Sequence, residues 1–261
     1  MARRSLTDAR VVVTGASSGI GRALAIQLCQ RGAHVIATAR RNQRLLELEE
    51  QCKSLPGTLK TIAGDLTHEA HREEICRQVS SEWNALDVLV NNAGAGAIGR
   101  FDVASSDRLR RVMEIDFFAP VELTRMCLPL LECGTRPAIL NIGSVLSHRA
   151  VPNKSEYCAA KFAMRGWAES LRVELFDKKI EVLMLSPSTT NSEFFDSLVD
   201  TNAEEKSKSL GSMMPERVAE LAITALVGSK REMILSLGGK SLVWAGRLFP
   251  RLTDRILGRF A

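Results

Sequence analysis

No stretch of the sequence has the run of about 18 apolar residues that a membrane-spanning helix needs, so nothing in it is expected to cross a bilayer. The basic opening MARRSLTDAR leads into no apolar core, so a secretory signal is not expected either. Six cysteines occur, but no two stand as C-x-x-C and none has metal-ligand spacing. They read as the reduced thiols of an intracellular, cytoplasmic protein. His68 and His71 lie three apart without a further clustered ligand, which argues against zinc. Linkers, internal repeats and low-complexity segments are also missing. With 45% apolar and 25% charged residues, the composition is that of an ordinary soluble protein, and one domain over residues 1–261 is expected. The net charge of +5 would suit an anionic ligand or surface, but it is too mild and dispersed to indicate nucleic acid. Tyrosine is scarcest of all: the chain has one, Tyr157.

What is present is a regular alternation. Short runs rich in Val, Ile and Leu, at 10–15, 33–39, 59–65, 86–94, 137–144, 180–187 and 232–237, read as buried strands. Helical patterns fill the intervals, at 19–31, 41–53, 67–83, 107–132, 153–177 and 215–228. Apolar strands alternating with helices imply a parallel sheet covered on both faces, and right-handed crossovers make it a doubly wound α/β Rossmann fold of about seven strands. The long polar connection 188–214 lies beyond a strand's carboxyl end, where loops serve substrates more often than not.

T-G-A-S-S-G-I-G (14–21) follows the first strand and opens the first helix. Gly15 permits the tight turn, Gly19 lets a pyrophosphate approach the backbone, and Gly21 allows close packing. The helix N-terminus then turns free N–H groups toward the phosphates. The strand–turn–helix context gives this glycine pattern its weight.

Tyr157 lies in S-E-Y-C-A-A-K, four residues before Lys161. On a helix these two share a face, about 5–6 Å apart, so a phenol and an ammonium are held side by side. A tyrosine commonly just fills a half-buried gap. Its neighbours make this one different.

The T-G-x-x-x-G-x-G spacing, N-N-A-G at 91–94, Ser144 after the fifth strand, and Y-x-x-x-K at 157–161 occur in this order. The chain thereby resembles the short-chain dehydrogenase/reductase (SDR) family, in its classical branch, over about residues 10–237. The resemblance implies that Tyr157 is the catalytic acid/base. It implies that Lys161 lowers the phenol's pKa and holds the nicotinamide ribose, and that Ser144 bonds the substrate oxygen. A free phenol titrates near ~10, and a unit charge at about 4 Å is worth about 4 kcal/mol at an effective dielectric near 20. One ammonium is thus of useful size. The resemblance also assigns cofactor contacts to Ser17, Ser18, Ile20, Leu66, Asn92, Ala93, Gly94, Pro187, Ser188, Thr190 and Ser192. It puts Asp65 near the adenine and Asn91 at the ribose, and it implies a homo-oligomer, a dimer or tetramer.

Arg40 and Arg41 end the second strand, where an NAD enzyme of this kind would carry an acid for the ribose diol. Guanidinium pairs with a 2′-phosphate and a carboxylate repels it, so NADP(H) is the expected cofactor. The sequence departs from the family where Asp116 replaces the usual asparagine in M-E-I-D-F-F-A, and where Pro187 precedes Ser188 rather than glycine. Asp116 is counted with the catalytic set, its effect an open question.

Residues 241–261 form a basic, amphipathic extension. Trp244, Leu248, Leu252, Ile256 and Phe260 recur every four residues, with Arg247, Arg251, Arg255 and Arg259 beside them, and Pro250 opens a second short helix. Docking of this stripe on the protein itself or a partner subunit is the favoured reading, and peripheral membrane contact through 244–260 the sharper one. The expected activity is reduction of a carbonyl, or oxidation of an alcohol, with NADP(H). Phe194, Phe195, Leu198, Val199, Met213 and Met214 suggest a hydrophobic lid and a lipophilic small-molecule substrate. The alternative is a catalytically weak NADP-binding regulator.

Overall fold

Val11 and Val13 face one side of the sheet and Val12 the other, because successive side chains of a strand alternate. Each side of the sheet therefore needs its own helical cover. The computed structural model describes residues 3–191, 193, 198–200 and 212–260. Its strands are β1 (Arg10–Thr14), β2 (His34–Ala39), β3 (Thr58–Ala63), β4 (Val88–Asn91), β5 (Ala138–Ile142), β6 (Glu181–Ser186) and β7 (Glu232–Ile234). They form one parallel sheet of seven strands in the order β3-β2-β1-β4-β5-β6-β7. Helices α1 (Gly19–Cys29), α2 (Asn42–Cys52), α3 (Glu69–Trp83), α4 (Ser106–Met113), α5 (Ala119–Glu132), α6 (Ser155–Glu174) and α7 (Pro215–Val227) connect them.

Leu24 and Leu28 of α1, Leu45 and Leu48 of α2 and Val218 and Leu226 of α7 pack with Val11 and Val13. Ile75 of α3, Leu123 and Leu131 of α5 and Leu171 of α6 pack with Val12, Leu89 and Ile139 on the opposite face. The strand order reverses between β1 and β4. Doubly wound sheets open a crevice at their carboxyl ends at such a point.

Two expected elements change. The single helix expected over 107–132 is interrupted by a π-helical turn at Glu114–Phe118. The strand expected to reach residue 237 stops at Ile234, because the Ser236 hydroxyl accepts from the Gly239 N–H at 2.9 Å and caps a helix instead. That helix, α8 (Leu237–Leu248), is followed by α9 (Pro250–Leu257), opened as expected by Pro250.

Candidate active site

The glycine turn is locked to the end of β4. Gly15 and Gly19 hold φ of 68° and 54°, left-handed values that glycine tolerates. A Cβ on Gly15 would lie 2.8 Å from Ala93 Cα, and one on Gly21 would lie 2.5 Å from the Gly15 carbonyl oxygen. The Asn92 amide donates to the carbonyl oxygens of Thr14 and Gly15 at 2.8 and 3.2 Å. The Thr14 hydroxyl accepts from the N–H groups of Asn92 and Ala93, each at 3.0 Å, and donates to the Val90 carbonyl at 3.2 Å. α1 starts directly beyond this turn, so its N-terminus faces the crevice as an anion site.

That crevice is a cleft of about 1410 Å³. Gly15, Ser17, Ser18, Gly19 and Ile20 line it from the first turn, and Arg40, Arg41, Asp65 and Leu66 from the ends of β2 and β3. Asn92, Ala93 and Gly94 follow from β4, and Pro187, Ser188 and Thr190 from β6. Gly21 stands behind the turn and closes its packing. Asn91 is a correction to the ribose assignment, because it is absent from the lining. Its amide donates to Thr124 Oγ1 at 3.0 Å and Asn141 Oδ1 at 2.9 Å, which holds the side chain in the core. Ser192 lies outside the described residues.

Arg41 already has partners at the cleft's edge. Its guanidinium donates to Ser17 Oγ at 3.2 Å and to Glu193 Oε2 at 2.7 Å, and Arg44 reaches the other Glu193 oxygen at 3.5 Å. The Asp65 carboxylate accepts from the N–H and hydroxyl of Thr67 at 3.0 and 2.8 Å. Burial pushes its pKa up, but these bonds and Arg40 outweigh burial and hold it below the usual range.

Tyr157 and Lys161 lie one turn apart on α6, with the ammonium 5.4 Å from the centre of the phenol ring. Ser144 hydrogen-bonds the phenol, and its Oγ also accepts from the Leu146 N–H at 3.1 Å. The π turn presents Asp116 to the same point. Its Oδ1 accepts from Lys161 Nζ at 2.9 Å and from the Ala95 N–H at 3.3 Å. A Cβ on Gly94 would collide with that oxygen, so the glycine makes room for the carboxylate. All four expected catalytic residues thus meet in one place.

Their charges, however, oppose the simple expectation for the phenol. Burial pushes the Tyr157 pKa up, Lys161 pulls it down, and Asp116 pushes it up again; the net direction is upward. Burial also raises Asp116 against the pull of Lys161. Burial lowers Lys161, but Asp116 and Tyr157 outweigh it and its pKa ends raised. The ammonium that should ionise the phenol is shared with a carboxylate.

On the substrate side, Leu198 and Met213 line the cleft, whereas Met214 is exposed and lies outside it. Val199 is buried against Ala95, Ala97, Val112 and Ala160, beside Tyr157. Phe194 and Phe195 lie outside the described residues. Sequence reasoning missed Glu193, whose contact with Arg41 spans 152 positions, and Lys154, a lining residue whose pKa burial lowers. It also gave Thr14 no role; its place at the head of the glycine motif was the available signal.

Comparison with known proteins agrees with this geometry. The family profile described as short chain dehydrogenase matches residues 9–203. The "Uncharacterized oxidoreductase YxnA" of Bacillus subtilis is 31% identical over 259 residues, covering 97% of this chain and 72% of that protein. The "3-ketodihydrosphingosine reductase" of Bacteroides thetaiotaomicron is 30% identical over 186 residues, covering 71% of this chain and 65% of that protein. Among solved structures, a short chain dehydrogenase/reductase from Burkholderia phymatum in complex with NAD superposes with a TM-score of 0.86 at 19% identity, over 95% of this chain and 96% of that one. Sequence, sheet order and cleft therefore lead to one assignment: the chain belongs to the short-chain dehydrogenase/reductase family, an oxidoreductase family that uses nicotinamide dinucleotides.

Proposed function

We propose that this protein is an NADP-dependent oxidoreductase that interconverts a lipophilic ketone or aldehyde and its alcohol, with Tyr157 as acid/base. The observation that carries this reading is the contact of Ser144, Tyr157 and Lys161 in the same cleft as the glycine turn. NADP(H), when bound, supplies or accepts the hydride and, in its oxidised form, adds a positive ring.

The residues present fit such a group. Gly15 and Gly21 let the turn close against Asn92 and Ala93, where a Cβ would collide, and Gly19 takes a left-handed φ of 54°. The α1 N-terminus stands at the cleft as a site for phosphate. Arg40 and Arg41 supply guanidinium groups for a 2′-phosphate. In the direction of reduction, the Tyr157 hydroxyl gives its proton to the carbonyl oxygen as that oxygen gains charge. Lys161 offsets the tyrosinate left behind. Ser144 keeps its proton and can donate a hydrogen bond to the same oxygen, while its own Oγ accepts from the Leu146 N–H. Ile115, Leu146, Leu198, Leu242 and Leu257 give the cleft an apolar wall, which suits a lipophilic substrate. The resemblance to a protein named a 3-ketodihydrosphingosine reductase supports the same class.

Tyr157→Phe tests the reading, because it removes only the ionisable oxygen. NADPH oxidation against a panel of apolar carbonyls should fall by a factor on the order of 100 or more, while titration with NADPH shows unchanged affinity. Wild-type protein that binds NADPH but turns over no carbonyl would favour the regulator instead.

A further inference from the structure

Helices α8 and α9 turn one side toward the body of the protein and the other away. Val243 and Thr253 are buried, Gly239 lies against Val145, and Leu242 and Leu257 line the cleft. On the far side of α8, Leu237, Trp244 and Leu248 follow at spacings of seven and four. On α9, Leu252 and Ile256 follow at a spacing of four. Trp244, Leu248, Leu252 and Ile256 are 55%, 64%, 53% and 48% exposed, and Phe249 between the helices is 62% exposed. This overturns the reading that the stripe docks on the chain's own surface. The side chain of Phe260 lies outside the described residues. Large apolar side chains collected on an outward face mark an interaction surface.

Charge decides what covers it. Lys240, Arg247, Arg251, Arg255 and Arg259 are exposed on the same segment, and its only acid, Asp254, is paired with Arg149. Two-fold pairing with a second copy would bring this basic cluster against itself. An anionic partner has no such conflict. The Arg247 guanidinium lies 5.7 Å from the centre of a Trp244 ring, so an amphipathic ring and a cation already share one place. Among the described residues no helix is long and apolar enough to cross a membrane. We propose that α8 and α9 dock on the surface of an anionic lipid bilayer, with the apolar stripe in the acyl boundary and the basic groups among the headgroups. Because Leu242 and Leu257 of these helices also line the cleft, docking sets a wall of the cleft beside the lipid. If the function proposed above holds, a lipophilic carbonyl then reaches Tyr157 from the bilayer.

The test is co-sedimentation of the full chain, loaded with NADPH, with phosphatidylcholine vesicles and with vesicles containing phosphatidylglycerol. The protein should pellet with the anionic vesicles and be released as salt rises. Trp244→Ser with Leu248→Ser should weaken partitioning on the order of tenfold. Arg251→Gln with Arg255→Gln should weaken it about fivefold for each charge removed and flatten its salt dependence. Both pairs are exposed, so melting temperatures without vesicles should match the wild type. Failure to pellet with anionic vesicles overturns the proposal, as does pelleting that neither pair of substitutions alters. A dimer that the Trp244 and Leu248 substitutions dissociate, with no vesicle binding, would identify a second copy as the occupant and equally overturn it. Pelleting requires no turnover. Vesicle binding without carbonyl reduction therefore supports the docking face and removes only the proposed function.

Discussion

Lys161 Nζ donates to Asp116 Oδ1 at 2.9 Å, and the two side chains are 6% and 0% exposed. Asp116 Oδ2 is buried without a hydrogen-bond partner in the described structure, so the lysine carries most of what holds the carboxylate charged. The same ammonium is the group that favours ionised Tyr157. The carboxylate and the phenol, once ionised, thus compete for one cation, and the carboxylate is the one bonded to it.

Asp116→Asn should release that competition. The phenol, which Asp116 holds up, should then ionise at lower pH. In the proposed mechanism the ionised phenol is the base for alcohol oxidation, so the alkaline rise in its rate should move to lower pH. The fold should lose about 3 kcal/mol, because a buried charge loses its partner, although the amide can still accept from Lys161. The pH–rate profile and thermal melting, measured together, check both parts. A rise displaced to higher pH would show that Lys161 had lost its proton instead.

Cofactor choice should follow Arg41 and its neighbours. Arg40→Ala with Arg41→Ala should lower the preference for NADPH over NADH by on the order of 10–100-fold, the range of a charge-assisted pair. Glu193 pairs with Arg41 and Arg44 and so competes with the 2′-phosphate of the proposed NADP(H) for the same edge of the cleft. Glu193→Gln should therefore tighten NADPH by at most about fivefold, since the pair is exposed, and leave NADH unchanged. Binding titrations with both nucleotides distinguish the two effects. An NADPH/NADH ratio that neither variant moves would mean the arginines serve only the surface.

Gly94→Ala probes the space beneath the lysine pair. Its Cβ would run into Asp116 Oδ1 and lie 3.4 Å from Lys161 Nζ. Overpacking of this kind costs about 1–3 kcal/mol, and here the displaced atom belongs to the cluster proposed to be catalytic. Turnover should fall more than NADPH affinity does. Equal losses would place the damage in the nucleotide cradle.

How much of this was legible in the sequence depends on distance along the chain. The glycine turn and the Tyr157–Lys161 pair are local patterns, fixed by turn geometry and helical spacing, and both stand where the sequence placed them. Asp116 could be singled out as a departure, but its bond to Lys161 spans 45 positions and depends on a π turn that no periodicity announces. Asn91 was misplaced for a similar reason. Its motif is local, but Thr124 and Asn141, which draw the side chain inward, come from other elements. In the tail, a four-residue period revealed a stripe without saying which side of it the protein covers.

Acid stability should rest on two buried carboxylates outside the Ser144, Tyr157, Lys161 and Asp116 cluster, Asp87 and Glu156. Asp87 accepts from the N–H, Nε and Nη2 of Arg10, each at 2.8 Å, and from the Thr135 N–H at 2.6 Å. Glu156 pairs with Arg108 at 2.7 Å, and both are buried. Burial alone would raise both pKa values, but the bonds outweigh it and both end below the ordinary carboxylate range. A group with a depressed folded pKa stabilises the fold above its unfolded value and loses that contribution as pH falls through the folded one. The melting temperature should therefore hold from neutral pH down to about 4 and fall below it. Asp116 has the opposite sign, since burial raises its pKa, and should add nothing to this acid limb. Asp87→Asn and Glu156→Gln should each cost about 3 kcal/mol at neutral pH, because each leaves an arginine without its counter-charge. Each should also flatten the acid limb, having removed the proton uptake that produces it. Thermal melts of the wild type and both variants across the acid range decide this. A wild-type limb preserved in both variants would assign acid unfolding to other groups.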